Sequence, residues 1–100
     1  MNALSLPTWV VHISSVIEWT TAIWLIHSYS LATGERGWHW LAMAMLPALM
    51  SALCACIWHL FDNAPELEWL VTLQAGTTLL GNICLAIAAI QLYRQSPNQR

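Results

Sequence analysis

A chain of 100 residues holds one domain at most, and this one is 58% hydrophobic, 8% charged and of net charge −2. A soluble globule carries about 25% charged side chains, so lipid is the solvent this composition suits. Three Arg without a single Lys cannot form the basic stripe that holds phosphates, which excludes nucleic acid as a partner.

The first apolar stretch runs from about residue 9 to 31. No basic residue precedes it and no small-residue cleavage site follows it, so it reads as a retained helix rather than a targeting signal. The segment 32–37 carries Gly34 and Gly37, as expected where a helix stops and the chain reverses. A second stretch spans about 40–61 and contains Pro47, which should kink its helix and free the Met43 carbonyl. The connection 62–66 offers Asn63 as N-cap, Pro65 in the first turn and Glu66 at a capping-box position. The third stretch covers about 67–92, with a short polar tail over 94–100. At ~1.5 Å per residue each stretch can cross a hydrocarbon core of ~30 Å. The expected fold is all-α: one integral membrane domain, a three-transmembrane-helix up-down-up bundle whose short loops make neighbours antiparallel.

That threading puts Arg36, Arg94 and Arg100 on one side and Asp62, Glu66 and Glu68 on the other. By the positive-inside rule the Arg side is cytoplasmic and the N-terminus lies outside. Trp9 and Trp69 mark the outer interface, and Trp38 and Trp40 the inner one, as aromatic belts do. Trp19, Trp24 and Trp58 lie deeper and pack against helices, lipid or pigment. Glu66 and Glu68 read as acidic residues opposing the positive end of a helix.

Glu18 falls near mid-membrane, where a carboxylate costs several kcal/mol and must be neutral or partnered. Ser51, Gln74, Thr77 and Thr78 come out near the same level. The bland reading hydrogen-bonds a protonated Glu18 to Gln74, a Thr or Ser51; the functional one makes it a cofactor ligand or partner contact. In the third stretch Gln74, Thr77, Thr78, Gly81 and Asn82, continuing through Leu85, Ala88 and Ala89, recur at spacings of three and four. Such a polar, small-residue stripe faces protein, because hydroxyls and amides bond across helices and Gly lets backbones approach. Ala44, Ala48, Ser51 and Ala55 make a similar face on the second.

His12 and His59 share a level near the outer surface and are candidate ligands for a haem or a chlorophyll magnesium. His27 and His39 read as interfacial histidines toward the inner surface. Cys54, Cys56 and Cys84 form no framework, and a Cys-X-Cys in an apolar run is neither a zinc nor a redox signature. They read as small packing residues, and no cluster has metal-ligand spacing.

Leu4-Ser5-Leu6-Pro7-Thr8-Trp9, followed by His12 and Ser14-Ser15-Val16-Ile17-Glu18-Trp19, resembles a family of small membrane proteins of cyanobacteria and plastids. It is known as hypothetical chloroplast open reading frame forty-nine, a domain of unknown function. Met45-Leu46-Pro47 and Ser51-Ala52-Leu53-Cys54-Ala55-Cys56 with His59 look like its second signature, and Leu67-Glu68, Leu73-Gln74-Ala75 and Gly81-Asn82 like its third. The similarity covers about residues 4–90. The family carries Trp where this chain has His27, which counts against His27 as a ligand. The resemblance implies a thylakoid membrane with the N-terminus lumenal and the C-terminus cytoplasmic or stromal. It also implies a photosynthetic complex or its assembly machinery as partner, and chlorophyll or carotenoid nearby; it supplies no reaction.

The leading expectation is a non-catalytic auxiliary subunit or assembly factor docking in the bilayer onto membrane subunits of a photosynthetic complex. The alternative is a chlorophyll- or haem-binding module using His12, His59, Glu18 or Asn82. An enzyme or transporter ranks last. The sequence shows no nucleophile with a base, no Gly-rich phosphate loop and no internal repeat with broken helices.

Overall fold

The computed structural model describes residues 4–95. Every regular element among them is helical: α1 (Leu6–Thr33), α2 (Arg36–Ala44), α3 (Leu46–Leu60), a 3-10 turn (Pro65–Leu67) and α4 (Trp69–Gln95). They compose three helical rods long and apolar enough to cross a membrane, over Leu6–Thr33, Arg36–Leu60 and Pro65–Gln95. The expected tail lies mostly outside the described residues, Arg100 included.

The rods start earlier than composition implied, for identifiable reasons. Ser5 caps α1 by accepting the Thr8 N–H (3.4 Å), and its hydroxyl meets that of Thr8 at 2.8 Å. Pro7 sits in the first turn, where its missing N–H costs nothing. At the far end the expected six-residue loop shrinks to Gly34 and Glu35. Gly34 takes a left-handed conformation (φ 74°) and returns its N–H to Ser30 O, the usual glycine stop. The Ser30 hydroxyl then donates to Glu35 O (3.1 Å), and Thr33 Oγ1 accepts the Glu35 N–H (3.2 Å). Gly37, expected to break the helix, lies buried within α2 instead.

The middle rod is interrupted as Pro47 requires. α2 ends at Ala44, Met45 lies between the helices, and Pro47 falls in the first turn of α3. At the other loop Asn63 is not the N-cap expected of it. Asp62 and Asn63 both adopt positive φ (58°), and Ala64 caps the 3-10 turn instead. This turn is closed by Trp58, whose indole N–H donates to Ala64 O (3.1 Å).

The middle rod lies between the other two. α4 packs chiefly on α3 and α2, while α1 packs on α2 and α3, and α1 and α4 hardly meet. The result is a slab of 52 × 22 × 18 Å rather than a closed bundle. Its core is thin: Ala42, Met45, Cys54, Ala55, Leu70 and Ala88 are the buried apolar residues, with Ser30 and Ser51 the buried polar ones. Gly81 lets α4 approach α3 closely, for a Cβ there would sit 3.2 Å from the Ala48 backbone nitrogen and 3.4 Å from Pro47. In lipid, where tails are as apolar as Leu, such close packing and interhelical hydrogen bonds hold helices together.

Candidate functional site: an intramembrane groove and two histidine pairs

Ser51, buried on α3, faces α4 at the level of Gln74. Its hydroxyl lies 3.2 Å from the Gln74 backbone carbonyl and 2.5 Å from the Thr78 hydroxyl. Thr78 and Thr77 also donate to that carbonyl, at 2.8 and 3.1 Å. Three hydroxyls thus gather at one backbone oxygen, tying α3 to α4 from within.

Glu18 is not part of this layer. It lies near the middle of α1, exposed, and among the described residues no hydrogen bond or ion pair reaches it. The expected bond to Gln74, a Thr or Ser51 fails because the middle rod separates α1 from α4. Ser51 and Thr78 are in any case engaged with each other and with Gln74 O. Asn82 is likewise exposed and unpartnered.

Both residues border one groove. A cavity of about 270 Å³ is lined by Glu18, Trp19, Ala22 and Met45. A second of about 270 Å³, lined by Trp19, Ala48, Ser51, Ala52, Thr78, Asn82 and Leu85, shares Trp19 with it. A third of about 210 Å³ shares Ala52 with the second and reaches His12, Ser15 and Cys56. α1 borders all three cavities, small residues of α3 line the second and third, α4 lines the second alone, and Glu18 and Asn82 supply unused hydrogen-bonding capacity.

His12 and His59 do meet, edge to face, with ring centroids 5.3 Å apart and planes at 82°. His12 Nδ1 donates to Thr8 O (2.9 Å), and His59 Nδ1 donates to Asn63 Oδ1 (2.7 Å). Each bond fixes the tautomer and leaves Nε2 as a lone-pair donor, the state in which imidazole ligates metals. The rings touch, so no porphyrin fits between them as it would between two axial histidines. In this arrangement either histidine can ligate a macrocycle from one side only.

At the opposite end His27 and His39 also meet, with Nδ1 atoms 3.4 Å apart. Sequence reasoning missed this pair because it depends on the turn being two residues long. The signal available was Gly34 alone as a left-handed stop, which brings the end of α1 onto the start of α2. The three cysteines carry free thiols, Cys54 buried and Cys56 and Cys84 half-buried.

Three long apolar helices, with polar groups turned outward at mid-length, define a small helical membrane protein. A family described as "Protein of unknown function (DUF2499)" matches residues 3–91. A "Ycf49-like protein" of Synechocystis sp. is 62% identical over 96 residues, covering 96% of this chain and 92% of its own length. An "Uncharacterized protein ycf49" of Cyanophora paradoxa is 37% identical over 95 residues, covering 95% and 92%. The chain therefore belongs to the DUF2499, or Ycf49-like, family. Neither relative's name states an activity, and no solved structure matches the chain.

Proposed function

We propose that this protein is a non-catalytic helical subunit or assembly factor that docks, within the bilayer, onto transmembrane helices of a photosynthetic complex. The observation that carries the reading is the pair of unpartnered polar side chains, Glu18 and Asn82, bordering one groove at mid-membrane depth. In lipid an exposed carboxyl costs several kcal/mol, and such groups face protein or water. A partner helix laid over Ala48 and Ala52 would cover both residues and supply what they lack. The photosynthetic setting rests on the family resemblance: a thylakoid membrane, with the Arg36 and Arg94 end cytoplasmic or stromal and the N-terminus lumenal.

Native purification in mild detergent should recover the protein in a defined photosynthetic complex, and Glu18→Leu should release it. Migration of the wild-type protein only as a free chain would overturn the reading.

A second reading has its own observation. The bare Nε2 atoms of His12 and His59 suit a chlorophyll magnesium, with carotenoid alongside, bound at the outer end of the groove. The absorption spectrum of the purified protein tests it: a chlorophyll Qy band lost in His12→Leu or His59→Leu supports it, and a pigment-free spectrum removes it. A Soret band without the chlorophyll Qy band would signal haem.

A further inference from the structure

The end of the slab opposite the His12–His59 pair holds a contact that docking does not use. His27 on α1 and His39 in the first turn of α2 converge across the Gly34-Glu35 turn, with ring centroids 5.5 Å apart and planes at 53°. Their Nδ1 atoms lie 3.4 Å apart. N–H···O bonds cluster at roughly 2.9–3.0 Å, and at 3.4 Å a proton shared between these two nitrogens makes a long, weak bond. A metal ion spans it well. With zinc–nitrogen distances of ~2.0–2.1 Å, tetrahedral geometry sets two ligand nitrogens about 3.3–3.4 Å apart.

We propose that His27 and His39 form a two-imidazole site for a divalent transition-metal ion, zinc foremost, ligated through both Nδ1 atoms. No other hydrogen bond holds either ring among the described residues, so binding sacrifices nothing but the long contact between them. The turn is fixed by other means. Gly34 bonds Ser30 O, the Ser30 hydroxyl bonds Glu35 O, and Tyr29 packs edge-on against Trp38 with centroids 5.2 Å apart. The two rings are therefore held facing each other before any ion arrives, which lowers the ordering cost of binding.

Among the described residues no third His, Cys, Asp or Glu completes a cluster, so the remaining positions fall to water or an anion. A cavity of about 310 Å³ lined by Ser30, Leu31, Gly34, Arg36 and His39 adjoins the His39 side of the pair. Arg36 lowers the affinity for a bare dication and favours an anionic co-ligand. The site is thus exchangeable, unlike a closed four-ligand structural zinc.

The test is zinc titration by calorimetry of the detergent-purified, metal-stripped protein carrying no His tag, with cobalt absorption as a second readout. One ion per chain should bind, with at least tenfold loss in both His27→Gln and His39→Gln. Circular dichroism should show each variant helical. Absence of saturable binding, or binding equally strong in the His27 and His39 variants, would overturn the proposal.

Discussion

At the level of Gln74 the seam between α3 and α4 consumes its hydroxyls: Ser51, Thr77 and Thr78 all reach Gln74 O, and Gly81 brings the backbones together, while Asn82 one residue further along α4 stays unpartnered. Along the seam between α1 and the middle rod polar groups are left over. Glu18 has no partner, cavities follow one another, and histidines meet at either end. One seam spends its chemistry on holding the chain together, and the other keeps it available for something outside. Substitutions at the first should therefore change stability, and those at the second should change association.

The largest stability loss is expected for Gly81→Leu. The site abuts the Ala48 backbone, which cannot swing aside as a side-chain tip can, so about 1–3 kcal/mol should be lost. Unfolding in detergent–denaturant mixtures would measure it, and an unchanged midpoint would break the contrast at its strong end. Ser51→Ala should cost about 1 kcal/mol, the usual worth of an interhelical hydrogen bond in lipid. In Gly37→Ala the new Cβ meets only the mobile ends of Leu92 and Gln95, and the better helix propensity offsets the crowding. Its midpoint should stay within about 0.5 kcal/mol of the parent. The smallest stability effect is expected for Glu18→Leu, which removes a polar group from the lipid-facing surface and should not destabilise the isolated chain. A clear loss there would mean that Glu18 serves the fold, and the contrast between the seams would collapse.

The three rods were legible from apolar length alone, because lipid demands long uninterrupted helices. Their ends were less so. Gly34 and Gly37 look alike in sequence, yet one supplies a left-handed stop and the other a close approach to Leu92. That difference depends on what lies across the interface. Asn63 is a common capping residue, but here its side chain is taken by His59 and its backbone by a left-handed turn. The periodicity of α4 located a polar stripe without revealing which neighbour it meets. With the middle rod interposed, Gln74 turns to Ser51, and Glu18 is left outside. The His12–His59 meeting followed from counting levels, whereas the His27–His39 meeting required the true length of a turn.

The length of α1 has a further consequence. Its 28 residues extend ~42 Å at ~1.5 Å each, against a hydrocarbon thickness of ~30 Å. Tilt alone would have to reach roughly 45° to absorb the mismatch, beyond the usual range of about 0–40°. The ends of the helix therefore emerge among the headgroups, Thr8 at one surface and Ser30 at the other. Each histidine pair is thereby brought toward the water of its own compartment. Such a rod sits at least strain in the thicker of two available bilayers.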